Sequence, residues 1–126
     1  MRGGPVSVLI WAGVVLIGGC GSVLRLIVDS AVSTRLGREF PYGTMAINLS
    51  GAAILGLLAG LTLADHAALL AGTAAVGSYT TFSTWLFETQ RLVEERQGRS
   101  AVLNIVVTLA LGVGAAALGK LIGGQL

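Results

Sequence analysis

The chain alternates between long apolar stretches and short polar connections. A helix that crosses the hydrocarbon core of a bilayer needs about 20 mostly apolar residues. Four stretches meet that length, at residues 6–28, 43–64, 67–92 and 101–122. The charged segments 29–42 and 91–99 and the connector Asp65–His66 separate them. The pattern predicts a single all-α integral membrane domain over residues 1–126, with four transmembrane helices.

Composition supports lipid as the solvent and narrows the functional classes. Of the 126 residues, 54% are hydrophobic and 11% are charged, whereas soluble domains carry about 25% charged residues. The 19 glycines are typical of membrane helices that pack closely. With one His and one Cys, the chain offers neither a metal-ligand cluster nor a Ser-His-Asp set, so we expect no enzyme. The net charge of +2 comes from arginines at helix ends, which favours contact with lipid rather than nucleic acid.

The distribution of basic residues predicts the orientation in the membrane. Arg2 and Lys120 belong to the side that holds both termini. The opposite side carries most of the arginines, namely Arg35, Arg38, Arg91, Arg96 and Arg99, with Arg25 near the same end. Because cytoplasmic loops are enriched in Lys and Arg, the two longer loops are expected in the cytoplasm. We predict a multi-pass protein of the bacterial inner (cytoplasmic) membrane.

Polar residues inside two of the apolar stretches fall on single helix faces. In the second stretch Thr44, Asn48 and Gly51 are four and three residues apart. In the fourth, Asn104 and Thr108 continue to Gly112 at intervals of four. A buried amide needs hydrogen-bond partners. Both faces are therefore either contacts between helices or the lining of a path for a hydrated species.

The third stretch contains the strongest polar signal, the segment Gly77–Trp85. Five of its nine residues are Ser or Thr, and their hydroxyls compete for backbone hydrogen bonds. We predict a helix break, which would free carbonyls for a cation and N–H groups for an anion. A continuous, packed helix is the alternative. Phe82 and Trp85 share one face, and their positive ring edges suit a small anion, although such spacing is also common in ordinary packing.

Two charged residues lie near the ends of these stretches. Arg25 is about one turn before the end of the first, and Glu88 about one turn after the Ser/Thr segment. Both fit side chains that reach the membrane interface. Arg25 also fits a second role, because a positive charge at a pore mouth raises the local anion concentration.

These motifs resemble the Fluc (CrcB) family of fluoride channels across all four stretches. Gly43–Asn48 matches the family's GT-x-x-x-N pattern, and Thr80–Trp85 matches its S/T-T-F-S-T-F box. Arg25, after the Gly-rich segment Gly18–Gly21, resembles the first helix of the family. Trp85 departs from the pattern, because the family usually has Phe there. The larger indole either presents a ring edge to the path or narrows it.

The resemblance implies passive fluoride export through an antiparallel, dual-topology dimer that encloses two pores. It implies a structural Na⁺ held by the backbone carbonyls of Gly77 and Thr80, and Arg25 in the pore vestibule. The implied pore residues are Asn48, Phe82, Trp85, Ser83, Thr84, Thr44, Thr81, Asn104 and Thr108. We predict a homodimer, with a heterodimer of paralogous chains as the alternative, because the arginine bias favours one orientation.

A small proton-coupled multidrug exporter is the alternative function. Such exporters also form four-span antiparallel dimers, but they need a carboxylate embedded in the membrane. The first stretch has no Asp or Glu before Asp29, and Glu88 lies close to a loop. A non-transporting scaffold is a third class, against which the hydroxyl-rich segment argues.

Overall fold

The computed structural model describes residues 5–63 and 65–126. It contains α1 (Pro5–Leu36), α2 (Tyr42–Leu61), α3 (Asp65–Ala68), a π-helical segment (Leu69–Val76), α4 (Gly77–Tyr79), α5 (Ser83–Glu94) and α6 (Gly98–Gln125). The described residues form helices and no strands. Three helices, α1, α2 and α6, are long and apolar enough to cross a membrane. The predicted class, an all-α multi-pass membrane protein, is confirmed.

The third predicted stretch is interrupted, as its Ser/Thr content indicated. Helical backbone runs from Asp65 to Tyr79, and α5 begins at Ser83. Gly77, where we placed the start of the break, is still helical (φ −61°, ψ −38°). The chain becomes extended at Thr80 (φ −79°, ψ 161°). A continuous helix is therefore wrong, and the break begins three residues later than Gly77. That this divided helix forms the fourth crossing stays a prediction.

The helix ends differ from the apolar boundaries for local reasons. α1 continues past residue 28 to Leu36, because its polar residues bond within the helix: Thr34 Oγ1 donates to the Ser30 carbonyl at 2.7 Å. Gly37, with φ 86°, ends it. α2 ends before the left-handed Thr62 (φ 51°). The predicted connector Asp65–His66 is instead helical. Ala64 and Arg2, which also carried predictions, lie outside the described residues.

Glycines bring α2 and α6 into backbone contact. A Cβ at Gly56 of α2 would overlap the backbone of Ala116, and one at Gly119 of α6 would overlap that of Ala53. Gly123 approaches the Leu57 carbonyl in the same way. Small residues let membrane helices approach this closely. The α2–α6 pair is thus closely packed, and the divided third helix lies against this pair and against α1.

Large apolar side chains cover the outer surface. Only 6% of the apolar window in α1 is buried inside the protein, and exposed side chains such as Leu9, Val15 and Leu16 lie along it. In water, apolar surface of this extent would be unfavourable. Lipid, or another protein within the membrane, is the environment that fits it.

Candidate functional site

Asn48 of α2 holds the backbone at the break of the third helix. Its Nδ2 donates to the Thr81 carbonyl at 2.8 Å, and its Oδ1 accepts from the Thr81 amide at 2.9 Å. A continuous helix would satisfy both backbone groups internally, so the Asn48 amide replaces those bonds. Gly51, one turn further along α2, permits this approach, because a Cβ there would overlap the Thr80 side chain.

The break also releases backbone carbonyls from helical hydrogen bonding. The Thr81 amide, which in a helix would donate to the Gly77 carbonyl, donates to Asn48 instead. The Thr84 amide, which would donate to the Thr80 carbonyl, donates to Thr81 Oγ1 at 3.3 Å. The last helical bond before the break runs from the Thr80 amide to the Val76 carbonyl at 3.0 Å. The carbonyl oxygens of Gly77 and Thr80 thus accept no helical hydrogen bond, and neither do those of Ser78 and Tyr79 between them.

A groove of about 370 Å³ lies between the break, α2 and α6. Polar and aromatic residues from these elements share its wall, with small and aliphatic residues between them. The lining consists of Asn48, Gly51, Ala52, Leu55, Gly72, Val76, Gly77, Thr80, Thr81, Phe82, Trp85, Thr108 and Leu109. The structure therefore brings five of the nine predicted pore residues to one surface: Asn48, Thr81, Phe82, Trp85 and Thr108.

The two aromatic residues of the groove differ in their surroundings. Their rings pack with centroids 5.6 Å apart and planes tilted by 53°. Phe82 is 68% exposed, whereas Trp85 is 7% exposed. The indole Nε1 of Trp85 donates to the Asn104 carbonyl of α6 at 3.3 Å. Trp85 is thus fixed against α6 with its only polar group paired inside the protein, and Phe82 presents the open ring.

Behind Trp85, hydrogen bonds between α5 and α6 form a closed circuit. Asn104 Nδ2 donates to Thr89 Oγ1 at 2.9 Å, and Thr89 Oγ1 donates to the Trp85 carbonyl at 2.8 Å. The Trp85 indole completes the circuit through the Asn104 carbonyl. Asn104 is fully buried and is not part of the groove lining. Thr89 belongs to this circuit but was not predicted, because no sequence motif includes it.

A second cavity, of about 320 Å³, lies where α1, α2 and α5 meet near the long loops. Charged residues of both signs line it: Asp29, Arg38, Glu88 and Arg91. Beside it, the Thr44 hydroxyl donates to the Glu88 carboxylate. Arg91 donates to the carbonyls of Arg38 and Glu39 and pairs with Glu95 at 3.3 Å. Thr44 therefore binds Glu88 beside this second cavity and does not line the groove.

The remaining predicted residues lie away from the groove wall. Ser83 and Thr84 are exposed at the start of α5. Arg25 is half-buried on α1 and lines neither cavity. The pairing of Glu88 with Thr44 was not predicted from the sequence. There, Glu88 was interpreted as a side chain that reaches the membrane interface. Contacts between residues 44 positions apart leave no local signal.

Comparisons with known proteins bear on this arrangement. A family model described as "CrcB-like protein, Camphor Resistance (CrcB)" matches residues 12–120, which is most of the chain. The chain belongs to the CrcB family. The match runs from α1 to α6 and includes every residue of the groove. Membership confirms the resemblance found in the sequence motifs.

Curated relatives extend along nearly the whole chain. The "Fluoride-specific ion channel FluC 2" of Mycobacterium tuberculosis is 63% identical over 115 residues, 91% of this chain and 91% of that protein. The "Fluoride-specific ion channel FluC 1" of Leifsonia xyli subsp. xyli is 42% identical, covering 92% and 88%. The protein of that name from Symbiobacterium thermophilum is 37% identical, covering 90% and 96%. Among these CrcB relatives, none carries the name of a multidrug exporter or an enzyme.

The two bonds between Asn48 and Thr81 lead to a first prediction. Asn48→Asp keeps an acceptor for the Thr81 amide but sets a carboxylate oxygen against the Thr81 carbonyl. We expect a loss of about 1–3 kcal/mol of stability, the usual cost of an unpaired buried polar group. Thermal unfolding of the purified protein in detergent measures it. Thr34→Ala, which removes an exposed 2.7 Å hydrogen bond to the Ser30 carbonyl, is the control and should cost less. Equal midpoints for Asn48→Asp and the wild type would contradict this role.

Proposed function

We propose that this protein is a passive, fluoride-selective channel that exports fluoride across the cytoplasmic membrane. The groove beside the helix break carries the proposal, because hydrogen-bond donors and an aromatic edge converge there within the membrane-embedded part of the fold. The names of the curated relatives support the same ion. Export needs no energy coupling, because an inside-negative membrane potential drives an anion outward.

The groove offers two hydrogen-bond donors to an anion. The Asn48 amide has two N–H groups, and one of them is used on Thr81. Thr81 Oγ1 accepts a bond from the Thr84 amide, which leaves its own proton to donate. The Thr108 side chain also lines the groove, but its hydroxyl oxygen has almost no accessible surface. A small, strongly hydrated anion requires such replacements for lost water.

Besides the hydrogen-bond donors, the aromatic residues contribute to selectivity for fluoride. Ring edges carry a partial positive charge, and the exposed Phe82 ring presents an edge without a competing hydrogen bond. Trp85 supports that ring from behind. A narrow path of this kind disfavours chloride, because a larger ion would leave some donors unused.

The groove is open on the surface of a single chain, and we propose that a second copy in the opposite orientation closes it. The exposed Phe82 and the exposed Gly77 at the break support this arrangement. An antiparallel homodimer requires the same chain to insert in the membrane in both orientations. A heterodimer with a paralogous chain requires this chain to insert in one orientation only, which the arginine bias favours. Mapping both termini in cells separates the two: dual topology supports the homodimer, and a single orientation overturns it.

We further propose that the break holds a structural Na⁺. Oxygen ligands suit hard cations, and the carbonyls of Gly77 and Thr80 are released from helical bonding by the contacts of Asn48 and Thr81. No cluster of three or more His, Cys, Asp or Glu occurs in the part of the chain that the structure describes. The cation would offset the dipoles of these released carbonyls and so keep the break in its extended form.

Fluoride efflux from liposomes tests the channel function. Purified protein in vesicles loaded with fluoride should release it when valinomycin and a potassium gradient provide a compensating current. We expect the flux to be electrogenic and absent from protein-free vesicles. Chloride loaded in parallel should stay inside. Absence of electrogenic fluoride release from folded, reconstituted protein would overturn the proposal.

The cation proposal makes a separate prediction. Replacing Na⁺ on both sides of the vesicle with N-methylglucamine should strongly reduce fluoride flux, because the larger cation does not fit between two backbone carbonyls. Returning Na⁺ should restore the flux. Equal rates in the two cations would show that the break needs no bound ion.

A further inference from the structure

Helix α2 contacts the chain on both sides of the helix break. After the break, Asn48 binds the backbone of Thr81. Before it, Tyr79 is the last helical residue, and its hydroxyl oxygen lies 2.9 Å from that of Ser50. Ser50 and Tyr79 do not line the groove but a separate, mostly apolar cavity of about 430 Å³ beside α1. This second contact therefore lies on a different face of the break from the groove residues.

The hydrogen bonds around Ser50 identify the Tyr79 hydroxyl as a donor. Ser50 Oγ donates its single proton to the Ile47 carbonyl at 3.1 Å, because a carbonyl can only accept. In the 2.9 Å contact the proton must then come from Tyr79. Ser50 lies near the middle of α2, a helix long and apolar enough to cross the membrane. At that depth no water replaces a lost partner, so an unpaired tyrosine hydroxyl would be costly.

The contact lies where the upstream helix has the fewest bonds of its own. The last helical bond before the break runs from the Thr80 amide to the Val76 carbonyl, and the backbone is extended from Thr80 onwards. Helix ends depend on such outside contacts, because their last carbonyls have no helical partners. We propose that Tyr79 is a positioning residue for the break. Through Ser50 it fixes the end of the upstream helix, as Asn48 fixes the chain downstream.

Resting on the proposed fluoride and Na⁺ functions, this role concerns the cation more than the anion. The carbonyls released from helical bonding, those of residues 77–80, belong to the part of the chain that Tyr79 fixes. The two donors of the groove, on Asn48 and Thr81, are held by their own bonds instead. Loss of the Tyr79 hydroxyl should therefore weaken the hold on Na⁺ and leave the fluoride path largely intact.

Hydrogen exchange of the full-length protein tests the contact independently of transport. Tyr79→Phe keeps the ring and removes the hydroxyl. In Na⁺-free buffer containing N-methylglucamine, we expect the amides of residues 80–82 to exchange about fivefold faster, because local opening becomes easier by one net hydrogen bond. Tyr42→Phe makes the same chemical change at a tyrosine that is 42% exposed and lines neither the groove nor the apolar cavity, so exchange at the break should stay as in the wild type. Equal exchange in Tyr79→Phe and the wild type overturns the proposal.

A Na⁺ titration of fluoride efflux separates positioning from simple stabilisation. Tyr79→Phe should raise the half-saturating Na⁺ concentration about fivefold, because apparent affinity falls with the fraction of molecules in the binding-competent conformation. Flux at saturating Na⁺ should remain near that of the wild type. Ser50→Ala removes the acceptor and should give a similar shift, and the double variant should shift little further, because both changes break the same bond.

The outcomes of the titration can be told apart. A residue that only stabilised the fold would lower the active fraction, and so the maximal flux, without changing the half-saturating Na⁺ concentration. An unchanged half-saturating concentration in Tyr79→Phe therefore overturns the positioning role. A wild-type flux that does not depend on Na⁺ would overturn the cation proposal, and a wild type without flux would overturn the channel function. In both of these cases hydrogen exchange still decides whether Tyr79 fixes the break.

Discussion

Phe82→Ile should reduce electrogenic fluoride flux to the background of protein-free vesicles. Isoleucine is a smaller apolar side chain without the positive edge of the ring, so the substitution removes the electrostatic contact and keeps part of the apolar contact. Phe82 is 68% exposed at the groove and immediately precedes α5. Because most of its surface faces away from the protein core, its loss should cost little stability. The measurement is fluoride release per reconstituted protein.

Phe87→Ile is the matched control for this substitution. Phe87 lies five residues further along the chain, in α5, and is 72% exposed, but it lines the second cavity rather than the groove. We expect wild-type flux from this variant. Both variants should elute from size exclusion at the position of the wild type, which separates loss of transport from loss of assembly. Wild-type flux from Phe82→Ile would mean that the aromatic pair only supports packing.

The helices and the break were predictable because their causes are local. Lipid permits few polar groups, so apolar length alone identified the stretches that became α1, α2 and α6. The break was visible in the Ser and Thr residues of Gly77–Trp85, whose hydroxyls weaken a helix wherever it lies. Its position was not, because the extended backbone begins where Asn48 reaches Thr81. That contact depends on how α2 is placed.

The roles of single polar residues were less predictable, because they too depend on how the helices are placed against one another. Membrane helices are apolar on all sides, so the sequence pattern does not fix their rotation about the axis. Asn104 and Thr108 share a face in the sequence, but only the packing of α5 on α6 buries Asn104 behind Trp85 and leaves Thr108 at the groove. The spacing of four residues identified both positions as polar. It did not distinguish a residue that lines the groove from a residue that supports the groove wall.

The α2–α6 backbone contact explains why the groove needs so many glycines nearby. Lipid supplies little hydrophobic driving force between helices, so close packing has to hold them together. Gly119 lies against backbone atoms of Ala53 and Leu57. Backbone atoms, unlike a flexible side chain, cannot move aside to accommodate an added methyl group. Thr108 of α6 and Asn48 of α2 both line the groove. The glycine contacts therefore set how closely these two groove-lining helices approach each other.

Gly119→Ala should destabilise the fold, against the usual effect of this change. In an exposed helix, Ala is more favourable than Gly by up to about 1 kcal/mol. Here the added methyl would overlap the Ala53 carbonyl and lie 2.9 Å from the Leu57 amide nitrogen. Overpacking of this kind costs about 1–3 kcal/mol, and separating the helices would also widen the groove. We expect a lower thermal midpoint in detergent and a smaller monodisperse fraction after purification.

Gly114→Ala supplies the comparison on the same helix. A Cβ at Gly114 meets no atom within 4 Å, so only the helix preference of Ala acts, and the midpoint should stay the same or rise. Both Gly→Ala substitutions change the entropy of the unfolded chain in the same way. Opposite changes in the thermal midpoint would therefore come from the folded state. If Gly119→Ala instead raised the midpoint as Gly114→Ala does, α2 and α6 could not be in backbone contact. The groove walls would then have to be held by α5 and the Asn104 circuit alone.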